Sequence, residues 1–209
     1  MRWDGTLTGR LLLCAVVLMA GCSDADVGGN QHAGLTGEWR TAGCAMPRRP
    51  QTTPLGDTMM PVTPPDLDAA MRRIDEGARA EFSGSYAGLE VDQHLVRAIV
   101  YRVPDAAFDE FVRQNAEDAC IVVRDAAHDL DELRSWHDRI VTDLGFWAAQ
   151  GVPISSVGSR HDGAGVEVGT HDAARARAAM TDHYGDQAPL IFIEQGPVTP
   201  LPSGPSTAP

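Results

Sequence analysis

The stretch from Asp129 to Gly151, DLDELRSWHDRIVTDLGFWAAQG, constrains the fold more than any other part of the chain. Leu130, Leu133, Trp136, Ile140, Leu144 and Trp147 recur at steps of three and four, which lines them along one face of a 3.6-residue helix. Asp129 is placed to cap the first turn, and Glu132 three residues on completes a capping-box-like pair. Gly151 stands where a left-handed residue closes a helix. A long helix with one apolar stripe has to cover something, and the chain on either side supplies it.

On the N-terminal side, Asp66 follows two prolines and starts a helix through Leu67, Ala70, Met71, Ile74 and Ala78. Ala87 to Asp92 and Leu95 to Val103 read as a hairpin turning at Gln93-His94, since the second segment is rich in β-branched residues and Tyr. Pro104-Asp105 opens a helix with Phe108, Phe111 and Val112 inward, and Cys120 to Val123 is a short apolar strand. The same order recurs after the long helix. Pro153 to Ser159 and Val166 to Thr170 flank the hairpin dipeptide Asp162-Gly163. Asp172 caps a helix from Ala173 to Tyr184, closed by Gly185, and Pro189 to Ile193 is the last strand. Asp105-Ala106-Ala107 and Asp172-Ala173-Ala174 fall at equivalent places. The fold class is therefore α+β: two ββαβ-like units joined by a long helix, a mainly antiparallel sheet, and helices on one face.

The first residues carry an address. Arg2 and Arg10 precede an apolar run, Leu11 to Met19, which reads as a secretory signal over residues 1–21. The run is shorter than the roughly 20 apolar residues that span a bilayer. Its end, Leu18-Met19-Ala20-Gly21-Cys22, resembles the lipobox of bacterial lipoproteins, with Met19 where that family favours Leu. The resemblance implies cleavage before Cys22 and lipidation of that cysteine, and hence a cell-membrane location, lipid-anchored on the extracytoplasmic face. Residues 22–65 then form a tether and linker, polar and Gly-rich at first and carrying six prolines from Pro47 to Pro65. Within it, Gly37-Glu38-Trp39-Arg40 is either a short strand or a docking segment. Residues 66–196 form one α+β domain, and 197–209 are a tail disordered by composition.

Outside the cytoplasm, the remaining pair Cys44 and Cys120 reads as one disulfide, the alternative being two buried thiols. No CxxC supports a zinc ribbon or a redox motif. All 17 basic residues are Arg, against 29 acidic ones, and the net charge is −12. Loss of residues 1–21 makes the chain slightly more acidic still. An acidic chain without a basic run argues against nucleic acid and against electrostatic attachment to anionic lipid. The lipid would hold it at the membrane.

Four His-Asp dipeptides stand out, at His128, His137, His161 and His171. Asp129 and Asp172 are explained as helix caps and Asp162 as a turn residue. There is no HExxH spacing and no GxSxG elbow. If a metal-assisted hydrolase were present, His161, His171 and His183 would be its ligands, and no cofactor is implied otherwise. Trp136, Trp147, Phe108, Phe111 and Phe192 read as core.

The run from Phe82 to Asp92, followed by Ala98-Ile99-Val100-Tyr101 and by AHDLDELRSWHDRI, is similar to the prodomains of α-lytic-protease and streptogrisin-type serine proteases over roughly residues 82 to 145. That resemblance implies a folding helper or inhibitor of a secreted protease. More broadly, the chain resembles small secreted proteins of actinobacteria. Without an assembled catalytic motif, the reading is a non-enzymatic binding domain whose partners are the membrane, through its lipid, and an envelope protein or a secreted protease.

Overall fold

The computed structural model describes residues 36–196, so the signal segment, Cys22 and the tail lie outside the described residues. The chain is α+β. Its elements run β1 (Trp39–Arg40), a 3-10 turn (Ala42–Ala45), β2 (Gln51–Leu55), β3 (Thr58–Val62), α1 (Pro65–Glu81), β4 (Tyr86–Asp92), β5 (Arg97–Arg102), α2 (Ala106–Ala116) and β6 (Ile121–Asp125). They continue with α3 (Leu130–Thr142), α4 (Leu144–Ala149), β7 (Ile154–Ser159), β8 (Val166–Thr170), α5 (Ala173–Tyr184) and β9 (Leu190–Glu194). Among the described residues no helix is long and apolar enough to cross a membrane.

The strands form separate sheets: β1-β6-β5-β4, the hairpin β2-β3, and β7-β8-β9. The pairing is mainly antiparallel as expected, but among the described residues it is divided into three sheets instead of one. Each ββαβ unit builds its own sheet, an antiparallel hairpin followed by a third strand parallel to the second. The parallel pairing is what the intervening helix makes possible, because a parallel return needs a crossover.

The two units repeat down to their register. In the first, the ladder shifts by one residue between Tyr86 and Gly88; in the second, between Ile154 and Ser156. Both shifts lie one pair from the end of the second strand, at Arg102 and Thr170. The parallel ladders then run from Ala98↔Ile121 to Arg102↔Asp125, and from Val166↔Leu190 to Thr170↔Glu194. Both crossover helices start on an aspartate cap. Asp105 accepts from the Ala107 and Phe108 amides, and Asp172 from that of Arg175. The first unit alone gains a fourth strand, β1, whose Trp39 lies opposite Val123.

Each unit also has its own core. Leu67, Ile74, Tyr86, Val100, Phe108 and Ile121 centre the first, with α1 and α2 over one sheet face. Leu133, Ile140, Trp147, Val168, Met180 and Phe192 centre the second, with α3, α4 and α5 sharing one face. A side chain of this size contributes about 1.5–3 kcal/mol when fully buried.

The helix expected from Asp129 to Gly151 is in fact two, broken at Asp143. Asp143 holds Tyr184 by its side chain, and Gly145 follows, a weak helix former. The break turns the second piece, so Trp147 is buried while Leu144, expected inside, is exposed. The predicted ends are kept. Asp129 accepts from the Glu132 amide, and Gly151 has φ +71. Gly151 N–H donates to Ala148 O and Val152 N–H to Trp147 O, a Schellman closure.

The expected linker is also more structured than its prolines suggest. Residues 51–62 form the exposed hairpin β2-β3, in which Pro54 and Pro61 remove donors from the strands. Upstream of it, Cys44 and Cys120 are bridged, with S–S 2.07 Å. Trp39–Arg40 is a strand of the first sheet, and Trp39 Nε1 donates to the buried Asp109 at 3.1 Å.

Candidate functional site

The two units meet along the tip of the β7-β8 hairpin. Gly88 of β4 lies against the backbone of His161, and a Cβ there would meet His161 O at 2.3 Å. Gly163, at φ +69, fits against Ala126 and Ala87, and its carbonyl accepts from His128 N–H at 3.1 Å. Ser159 Oγ donates to Leu133 O at 3.3 Å, and Ser83 Oγ to Asp131 at 2.6 Å. Hydrogen bonds and glycine-close packing therefore fix the seam.

Beside this seam opens a cleft of about 340 Å³. Its base is Ala87, Gly88 and Leu89 of β4 with Gly158 and Ser159 of β7. One wall is Arg79 of α1; another is Leu130, Arg134 and His137 of α3; Arg160 and His161 close it from the hairpin tip. Three guanidinium groups and two imidazoles thus border it, and no carboxylate does. That composition contrasts with a chain of net charge −12.

Carboxylates outside the lining balance these groups. Arg79 Nε donates to Asp75 at 2.8 Å. Burial pushes the Asp75 carboxyl up, but Arg79 and the Tyr86 hydroxyl outweigh it and hold it below the usual range. Arg160 forks onto Asp162 at 3.0 and 2.6 Å, and its guanidinium holds that carboxyl low. His161 Nε2 meets Glu90 at 2.9 Å and sits edge-on to Tyr101, whose hydroxyl is the first cause of a lowered Glu90 carboxyl. His137 Nδ1 meets Asp138 at 2.9 Å. Arg134 differs. Its nearest carboxylate oxygen among the described residues, Asp131 Oδ1, is 4.0 Å away, beyond hydrogen-bond reach.

The structure does not bring the candidate metal ligands His161, His171 and His183 together. His161 faces Glu90 at the hairpin tip, and His171 is exposed between β8 and α5. His183 packs against Phe146, Trp147 and Tyr184 beside a second depression. Among the described residues no three His, Cys, Asp or Glu side chains are placed to hold a metal ion. Of the His-Asp aspartates, Asp129 and Asp172 are helix caps, and Asp162 accepts from the Ala164 amide within its turn. His128 Nδ1 meets Glu132 at 3.0 Å across the first turn of α3.

Ser159 is the hydroxyl on the cleft lining, and its hydrogen goes to a backbone carbonyl instead of to an imidazole. The nucleophile–base pairing that acyl transfer requires is thus not assembled there. Sequence reasoning singled out His137 and His161, though for a different role, and missed Arg79, Arg134 and Arg160. These come from three elements up to 81 positions apart, and no spacing links them. No protein-family model matches the chain, and comparison with curated proteins finds no match.

Proposed function

We propose that this protein is an extracytoplasmic binding module, held at the membrane by a lipid on Cys22, that presents the cleft between its two ββαβ units to its ligand. The observation that carries the binding role is the cleft itself. Both units line it, the seam beneath it is fixed by close packing, and its cationic side chains outnumber any group suited to nucleophilic chemistry. The Cys44–Cys120 bridge supports the address, because such bonds persist in oxidising compartments and are rare in the cytoplasm.

Two experiments test the two parts. Cys22→Ala is expected to move the protein from the membrane fraction to the soluble one and to abolish incorporation of labelled fatty acid; unchanged partition would sink the anchor. The purified mature chain, immobilised and exposed to solubilised envelope, is expected to retain a specific, saturable partner. A secreted serine protease in that fraction would point to the prodomain-like role. No saturable partner at all would overturn the binding role.

A further inference from the structure

We infer that the cleft between the units is an oxyanion site that takes a phosphoryl group; this rests on the binding-module reading and names its ligand chemistry. Five cation-forming side chains border the cleft, from α1, α3 and the β7-β8 tip, and no carboxylate shares the lining. Their acidic partners, Asp75, Asp162, Glu167, Glu90 and Asp138, lie outside the lining.

The donors differ in how far they are already engaged. Arg160 spends Nε and one Nη on Asp162, and its other Nη faces Glu167 at 3.5 Å, so it contributes charge more than free donors. Arg79 is held through Nε by Asp75. A guanidinium carries five N–H donors, so a single carboxylate leaves most of the Arg79 set for a ligand. Arg134 has no acceptor within hydrogen-bond reach among the described residues, since Asp131 stands 4.0 Å away.

Geometry selects the anion. A carboxylate offers its acceptor oxygens in one plane, whereas a tetrahedral phosphoryl group offers them on several sides, which suits donors that converge from different elements. Arg79 and Arg134 approach from two different helices, α1 and α3. The apolar part of the lining, Ala87, Leu89 and Leu130, lowers the local dielectric and strengthens such contacts. The phosphoryl group has two natural sources outside the cytoplasm, a soluble phosphate compound or a phospholipid headgroup, and both present non-bridging phosphate oxygens.

The experiment measures binding of inorganic diphosphate to the mature chain by calorimetry, at matched ionic strength so that screening is held constant. In parallel, co-sedimentation is measured with phosphatidylglycerol vesicles against phosphatidylcholine vesicles. Arg134→Gln is expected to weaken binding about tenfold in whichever arm binds. Arg72→Gln, on the exposed side of α1, is expected to leave it unchanged. Diphosphate binding lost in Arg134→Gln assigns a soluble source, and Arg134-dependent vesicle binding assigns a headgroup. Absence of both, or binding equal in Arg134→Gln, overturns the site. If Arg134→Gln still retains the envelope partner while neither anion binds, the oxyanion site fails and the binding module stands. If no partner is retained, the module reading fails first.

Discussion

Trp147 Nε1 donates to Tyr184 Oη at 2.9 Å, and that hydroxyl donates onward to Asp143 at 2.7 Å. One short relay thus joins α4, α5 and the residue at which the long helix breaks. Tyr184→Phe removes the middle of it, stranding a buried indole N–H and a partly buried carboxylate. The expected cost is about 1–3 kcal/mol in urea unfolding, larger than for loss of a surface hydroxyl. Burial pushes the Tyr184 phenol up to about 12, with the Trp147 N–H opposing the rise and the Asp143 carboxylate adding to it. A phenol raised in the folded state adds stability that is complete below its unfolded value, near 10, and is lost as pH rises towards the folded one. The loss between about pH 10 and 12 is therefore expected to be smaller in Tyr184→Phe. It will not vanish, because Tyr86 and Tyr101 are raised as well.

The relay also marks where the sequence stops being legible. Period and caps identify the helices, since Leu133 and Ile140, Asp105 and Asp172, and Gly151 all act locally. The helix break was hidden, because Leu144 and Trp147 continue the stripe and the side chain that interrupts it answers to Tyr184, 41 positions away. The hairpin at residues 51–62 was hidden for the opposite reason. Prolines read as linker, yet a two-stranded ribbon accepts them wherever a strand faces water. Of the cleft's charged groups, His137 and His161 were visible, whereas Arg79, Arg134 and Arg160 acquire a common meaning only once the two units dock.

Arg102 is fully buried, and its Nε donates to the buried Asp109 at 2.9 Å while Nη1 pairs with Asp125. Replacing it by Met removes the guanidinium from a carboxylate that cannot reach bulk water. The expected loss is about 3–5 kcal/mol, with partial recovery in the Arg102→Met, Asp109→Asn double variant. Chemical denaturation of the four-member cycle measures the coupling.

Asp125 sets an acid limit on the same contact. Burial pushes its carboxyl up, but the Gly37 N–H and Arg102 outweigh that and hold it low. A carboxyl lowered in the folded state contributes stability that is complete above its unfolded value, about 4, and is lost as pH falls through the folded one. Asp125→Asn is expected to flatten part of the stability decline below about pH 4, measured by unfolding at a series of pH values.

The Cys44–Cys120 bridge closes a loop over a sequence separation of 76. Constraint of the unfolded chain over such a loop is worth about 4 kcal/mol. Reduction, or Cys44→Ala with Cys120→Ala, is expected to lower the urea midpoint accordingly. It also loosens the segment around β1, which then keeps its short ladder to β6, Trp39 at Asp109, Gly37 at Asp125, Glu38 at Arg124 and the Thr41 hydrogen bonds to Ala119 and Ile121. Increased exchange of the Arg40 and Thr41 amides would report that loosening before global unfolding; unchanged exchange would mean that these contacts suffice.

Two glycines of the cleft base separate packing from accessibility. A Cβ on Gly88 would meet His161 O at 2.3 Å, whereas one on Gly158 would meet nothing within 4 Å. Gly88→Ala must push the β7-β8 tip off β4, at an expected cost of about 1–3 kcal/mol. Arg160 and His161 would be carried away from Arg79 and Arg134, so any ligand of the cleft should bind more weakly than this loss of stability alone would cause. Gly158→Ala lies on the same lining and is expected to be nearly neutral in stability. Amide exchange at residues 160–165 provides the readout. Faster exchange in Gly88→Ala and none in Gly158→Ala locates the seam at β4, while equal exchange in both would mean that α3, through Leu133 O and Ser159, holds the units together instead.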